Sequence, residues 1–185
     1  MSAVMTGWPE ALVCDETEDM VGGYGRAVFN EARTHRYLLE RQWRAGKPLT
    51  WVMLNPSTAD AFADDPTIRR CIRFARRDGY AGIQVVNLFG LRATDPRELQ
   101  MHPDPIGACN DRMLWEATED ADVVAAWGAG GKLYGRGRTV TGNLARAGIA
   151  LACLAVTKDG QPVHPLARGR ARVPDGAPFI PWEAA

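Results

Sequence analysis

The sequence predicts an α/β protein: a three-layer α/β/α sandwich around a central four-stranded, mostly parallel sheet, with an N-terminal hairpin attached. Short β-type apolar runs alternate with segments of helical periodicity from Leu49 to Val156, the pattern of strand–helix–strand units. Each of those apolar runs stops abruptly at a polar or glycine turn. No internal repeat and no linker divides the chain, so residues 23–185 are read as one domain behind an acidic lead-in, residues 1–22.

Taken in order, the lead-in is polar and acidic, reads as loosely structured, and is closed by Gly22-Gly23. Two β-prone stretches, Arg26 to Glu31 and Arg36 to Trp43, flank the turn residues Asn30 and Thr34 and predict the hairpin. Gly46-Lys47-Pro48 breaks the chain before a first central strand, Leu49 to Leu54. This strand ends in Asn55-Pro56-Ser57-Thr58-Ala59-Asp60. A helix follows, with Asp65 as N-cap, Pro66 at its first position and Gly79 at its stop. Ile68, Cys71, Ile72 and Ala75 form its apolar stripe, and Arg69, Arg70, Arg73, Arg76 and Arg77 occupy the rest of its surface.

A second strand is expected from Gly82 to Phe89, a capped turn from Thr94 to Leu99, and helix from about Asp104 to Thr118. Asp122 to Trp127 reads as a third strand. The glycine-rich loop Gly128 to Gly137 then leads into a short helix, Thr139 to Arg146, and a fourth strand, Ile149 to Val156. The tail from Arg168 on carries Pro174, Pro178 and Pro181 and is expected to be irregular, packed down by Phe179, Ile180 and Trp182.

The composition, 46% hydrophobic and 24% charged, is that of a globular protein. No apolar run approaches the ~20 residues that span a bilayer, and Met1 to Glu10 lacks the features of a secretory signal, so the expectation is a cytoplasmic protein without a membrane partner. Cys14, Cys71, Cys109 and Cys153, like His35, His102 and His164, are too scattered to predict a metal site, and no cofactor is expected. A formal net charge of zero argues against coating nucleic acid by charge alone. The charge is unevenly spread, however. Residues 1–20 hold five acids and no Lys or Arg, whereas residues 131–172 hold eight Lys or Arg against Asp159. Arg168 and Arg170 in that basic segment are the candidates for phosphate contacts.

In open α/β sheets, ligands bind at the carboxyl ends of the strands. On the predicted layout Asn55, Asn87, Trp127-Gly128 and His164-Pro165 converge on that edge. Each has an ordinary structural use, but two amides, an indole and an imidazole at four strand ends exceed what a packed core requires. Ser57, two residues beyond Asn55, joins them as a ligand-binding candidate.

The run Asn55 to Asp60 followed by Asp64-Asp65-Pro66-Thr67-Ile68-Arg69-Arg70 resembles the signature of the family called domain of unknown function 1643. Val86-Asn87-Leu88, Ala126-Trp127-Gly128 and His164-Pro165-Leu166 fit the same pattern, over roughly residues 25–167. The order of motifs is also similar, more remotely, to the uracil-DNA glycosylase superfamily, which implies that fold. It also implies an enzyme that cleaves a nucleobase N-glycosidic bond, with DNA or a nucleotide as partner. By that resemblance Asn55 positions the attacking water, Asn87 reads the base edge, and His164 stabilises charge on the leaving base. Phe62 or Phe89 would stack on the base. The pattern departs from the superfamily where His164-Pro165 continues as Leu166-Ala167-Arg168, rather than with the Ser-Pro-Leu-Ser that pinches the DNA backbone. The competing reading is a base- or nucleotide-binding module without catalysis, framed by Gly130-Gly131-Lys132 and the helix start at Asp65. The Gly128–Thr139 loop is not a P-loop, since no Gly-Lys-Ser/Thr closes it.

Overall fold

A computed structural model of the chain describes residues 2–5, 7–18, 23–95 and 97–183, with residues 2–4 described by their backbone alone. Gly22, expected to close the lead-in, and Pro96 of the expected turn lie outside the described residues. The protein is built on one mixed sheet. Its strands are β1 (Ser2–Met5), β2 (Leu12–Glu18), β3 (Tyr24–Asn30), β4 (Arg36–Gln42), β5 (Pro48–Met53), β6 (Gly82–Asn87), β7 (Asp122–Ala125), β8 (Leu151–Cys153) and β9 (Ile180–Trp182). They lie in the order β1-β2-β3-β4-β6-β5-β7-β8-β9.

This corrects the expected four-stranded parallel sheet. The four anticipated strands β6-β5-β7-β8 are adjacent and mutually parallel, but they are only the middle of a nine-stranded, mostly antiparallel sheet. The antiparallel pairings β1–β2, β2–β3, β3–β4 and β4–β6 extend it on one side, and β8–β9 on the other. The lead-in is likewise corrected: it forms β1 and β2. In β2, Leu12 and Cys14 are buried, and Arg33 holds the buried Asp15 carboxylate at 2.6 and 2.8 Å. Two acids of the lead-in, Asp15 and Glu16, are thus partners of the hairpin arginines Arg33 and Arg26.

Helices cover both faces. α1 (Pro66–Arg77) packs Ile68, Cys71, Phe74 and Ala75 against Trp51, Ile83 and Val124 on one face. The tail reinforces that side, with the Phe179 ring 5.7 Å from Trp51 and 6.2 Å from Phe74. α2 (Glu98–Met101), α3 (Asn110–Thr118) and α4 (Arg136–Arg146) contribute Leu99, Met113, Leu114, Val140 and Leu144 to the other core, against Val52, Val86 and Val123. α1 follows its N-terminal signals closely. Asp65 caps it by accepting the Ile68 amide at 2.9 Å, Pro66 opens it, and Gly79 leaves it at φ +82.

The chain leaves β5 for one face, through α1, and leaves β7 for the other, through α4. The carboxyl ends of these neighbouring strands thus form a topological switch point, where the diverging connections leave a crevice. No helix among the described residues is long and apolar enough to cross a membrane.

Candidate functional site

The crevice is a cleft of about 310 Å³ whose walls include Arg36, Asn55, Ser57, Asp65, Asn87 and His164. Each strand end supplies one of its polar groups, and each group's orientation has a local cause.

Asn55 follows β5. Its Nδ2 donates to the carbonyls of Pro56 (3.0 Å) and Ala93 (2.7 Å), which fixes which end of the amide is nitrogen and leaves Oδ1 as an acceptor without a donor among the described residues. The chain beyond β6 continues the pairing there, with Leu88 N–H on the Met53 carbonyl and Ala93 N–H on that of Pro56. Asn87, the last residue of β6, is 1% exposed, and its Nδ2 has no hydrogen-bond partner among the described residues. A buried amide hydrogen left unpaired costs about 1–3 kcal/mol, so an acceptor entering the cleft would relieve that cost. The backbone at that point is held from behind. Asn110 Nδ2 donates to the Asn87 and Leu88 carbonyls at 3.0 and 3.2 Å, and Arg136 Nε to Leu88 at 2.8 Å.

His164 follows β8 in a turn closed by the Ala167 N–H on its own carbonyl. Its Nδ1 accepts the Leu166 N–H at 3.0 Å, so in the neutral ring the proton sits on Nε2. Burial depresses its pKa below the ordinary histidine value, with the Asp65 carboxylate opposing part of the shift. At neutral pH His164 is a neutral Nε2–H donor.

Arg36, at the start of β4, is 2% exposed. Its Nη1 donates to the Ala59 carbonyl at 2.6 Å, and Nε has no partner among the described residues. Burial pulls the guanidinium pKa down to about 10, against the attraction of Asp65. Asp65 itself, through Oδ1, is committed to the α1 cap. Asp60 and Asp64 organise the same loop. Asp60 Oδ1 accepts the Phe62 and Ala63 amides, and Asp64 accepts Arg41 Nε at 2.9 Å. Taken together, the cleft is rich in donors and holds a carboxylate, an arrangement suited to an acceptor-rich ligand and to moving a proton at its edge.

The remaining candidates read from the sequence lie elsewhere. Phe62 is 67% exposed and lines a different, shallow cavity with Tyr24, Arg41 and Trp43. Phe89 is fully buried in the core, edge-on to Tyr134 at 6.4 Å. Arg168 and Arg170 are exposed and do not line the cleft. Three of the α1 arginines serve the fold: Arg70 and Arg77 donate to tail carbonyls, and Arg76 lies 4.7 Å over the Trp43 ring. The glycine loop, expected to frame a ligand in the competing reading, is a packing device. A Cβ on Gly131 would lie 2.1 Å from the Trp127 ring and one on Gly130 2.5 Å from Leu54, while Lys132 pairs with Asp159 at 3.1 Å. Trp127 Nε1 donates to Gln161 at 3.2 Å, and its ring stands edge-on to Trp182, so its role at the cleft wall is structural. Among the described residues no cluster of His, Cys, Asp or Glu could hold a metal ion.

A family model described as "Protein of unknown function (DUF1643)" matches residues 36–166, more than two thirds of the chain. The chain belongs to this family. The DUF1643 span begins at Arg36 and ends just past His164, so every wall of the cleft lies inside it, while β1 to β3 and the arginines of the tail lie outside. No curated protein and no solved structure shows a significant match.

Sequence reasoning missed Arg36, Thr67 and Thr94 in the walls of the DUF1643 cleft, and Asn110 and Arg136 behind it. Arg36 sits in the expected hairpin, but the pairing of that hairpin to β6, which joins it to the central strands, was not foreseen. Asn110 and Arg136 act through backbone carbonyls, which leave no trace in side-chain patterning. Asp65 was legible as a cap, and the same position puts its carboxylate at the cleft.

Proposed function

We propose that the cleft is a nucleobase pocket and that the protein hydrolyses an N-glycosidic bond, in the manner of a DNA glycosylase. The observation that carries this reading is the meeting of Asn55, Asn87 and His164 in one cleft, where the Asn87 amide is buried and unpaired. A planar base offers carbonyl oxygens that such an amide can satisfy, and Met53, Leu54, Ile68 and Val85 supply apolar walls.

In the proposed reaction the bond between C1′ and the base nitrogen breaks, and its electron pair leaves with the base. His164 Nε2–H donates to the base oxygen on which that charge spreads, which suits a neutral imidazole better than a second cation. The Oδ1 of Asn55 accepts a hydrogen from the water that adds to C1′. An amide cannot take up a proton, and Asp65 is the carboxylate in the wall that can accept the one water releases. If the base belongs to a strand, it must be flipped out to reach this depth.

The second reading, a pocket for a nucleotide without catalysis, is favoured by the arginines. Arg70, Arg76 and Arg77 of α1 are engaged in holding the tail and Trp43, and neither the α1 arginines nor Arg168 and Arg170 line the cleft, which gives a duplex backbone little to hold beside it.

A base-release assay on duplexes carrying uracil, mismatched or modified bases, with the matching free nucleosides and nucleotides alongside, separates the two. The expected result is release by wild type, reduced about a hundredfold or more by Asn55→Ala and by His164→Ala. Release unchanged by both substitutions removes the mechanism. Binding without release from any substrate leaves the nucleotide pocket.

A further inference from the structure

A second cavity, a shelf of about 610 Å³, opens beside the cleft and shares Ser57, Ala93 and Thr94 with it as a common wall. Arg92 lines the shelf, with Thr34 and Thr58. Arg36 lines the cleft and Arg92 the shelf, so they stand on either side of that wall, and the Arg92 charge disfavours the charge on Arg36. Neither forms an ion pair among the described residues, and the Nε of each is buried without a partner. The structural work they do is modest. Arg36 spends Nη1 on the Ala59 carbonyl; Arg92 reaches the Arg33 carbonyl at 3.3 Å and lies 5.2 Å over the Phe29 ring. A guanidinium has five N–H donors, so most of their capacity is unspent. Asp65 and Asp60 attract Arg36 without contacting it. Two like charges, one of them fully buried, set beside hydroxyls and without a carboxylate in contact, are costly unless an anion joins them.

We propose that Arg36 and Arg92, with the Ser57 and Thr94 hydroxyls between them, bind the phosphate of the nucleotide whose base enters the cleft. This rests on the nucleobase reading for the ligand but not on hydrolysis. It moves the phosphate contact from Arg168 and Arg170 to residues at the cleft itself. It also makes the ligand a nucleotide rather than a nucleoside, free or as one unit of a strand. Arg is suited to the task because its planar fork matches two phosphate oxygens at once.

The test uses the full chain and two probes. With inorganic phosphate at millimolar concentration, the Nε–H resonances of Arg36 and Arg92 are expected to shift, and those of Arg168 and Arg170 to stay. With deoxyuridine and its 5′-monophosphate, calorimetry is expected to show Arg92→Gln weakening the monophosphate at least tenfold and leaving the nucleoside unchanged, while Arg168→Gln alters neither. Arg36→Lys, which keeps the charge where Arg36→Ala risks the loop, is expected to weaken the monophosphate alone. Phosphate that moves neither resonance, or an Arg92→Gln loss equal for nucleoside and nucleotide, overturns the proposal. Phosphate binding at these arginines in a protein that releases no base would refute the hydrolase and leave this site standing. A trinucleotide with the same central unit assigns the source: binding tighter than the monophosphate points to a strand, equal or weaker binding to a free nucleotide.

Discussion

His164 carries a consequence that can be measured without knowing the substrate. Its folded pKa is depressed by burial, and Nδ1 accepts the Leu166 amide, a bond that a doubly protonated ring cannot accept. The unfolded chain therefore takes the proton more readily than the folded one. The stability that the neutral ring contributes is fully present above the unfolded value of about 6.5 and is lost as pH falls from there through the depressed folded value. Thermal unfolding followed from pH 8 down to pH 5 should show wild type losing more stability than His164→Gln, which cannot titrate. Parallel curves for the two proteins would mean that His164 is not held neutral by the fold. Ligand binding should weaken only lower in that range, as pH falls through the depressed folded value, because a charged ring no longer matches the turn that aims Nε2.

At the scale of elements, the loop after β7 shows how a glycine-rich stretch can shape a site without touching ligand. Gly131 lies so close to the Trp127 indole that a Cβ would come within 2.1 Å of Cδ1 and 2.3 Å of Nε1, and that indole is pinned on its other side by Trp182 at 5.2 Å. Gly131→Ala is expected to destabilise by about 1–3 kcal/mol through overpacking. Gly142→Ala in α4, where a Cβ meets nothing within 4 Å, should stabilise by about 0.5–1 kcal/mol. Urea unfolding of the pair checks both signs, and a Gly131→Ala protein as stable as wild type would refute the packing account. The contrast also marks what could be read from the sequence. α1 was legible to within two residues because Asp65, Pro66 and Gly79 act locally, through caps and φ preferences that depend on neighbours alone. The four parallel strands were legible because burial on both faces leaves continuous apolar runs. The glycines of the Gly128–Gly137 loop looked the same whether they faced a phosphate or an indole, and only the third dimension distinguishes these. Asn55, Asn87 and His164 could be brought together because the two amides stand at the ends of legible strands and His164 follows a legible turn after another. Phe62 and Phe89 could not be placed, since ring position depends on how a loop folds back.

Across the whole molecule, the antiparallel half of the sheet is what supports the cleft. β4 lies beside β6, so Arg36 reaches Ala59 and Arg41 reaches Asp60 and Asp64, and the loop from Asn55 to Asp65 is clamped from that side. β4 in turn is paired to β3, and β3 to β2 over seven residues. The charge pattern hides this. Glu10, Asp15 and Glu16 look like a solvated run, yet Glu10 accepts the Tyr37 hydroxyl, Asp15 the Arg33 fork, and Glu16 the Tyr24 hydroxyl at 2.8 Å. Removing residues 1–22 would strip Leu12 from the core, worth about 1.5–3 kcal/mol. It would also leave Arg33 without its buried partner and expose seven residues of β3 as an open edge. Against a total stability of about 5–15 kcal/mol for a domain, the expected outcome is a truncated chain that aggregates or unfolds at markedly lower urea than the full protein, with its affinity for the cleft ligand reduced in step. A truncated chain with an unchanged midpoint would show that β1 and β2 are dispensable. Loss of stability with unchanged affinity would show that β3 and β4 hold Arg36 in place without them. The sheet is therefore the expected route by which a change at the far edge, remote from Asn55 and His164, reaches the site.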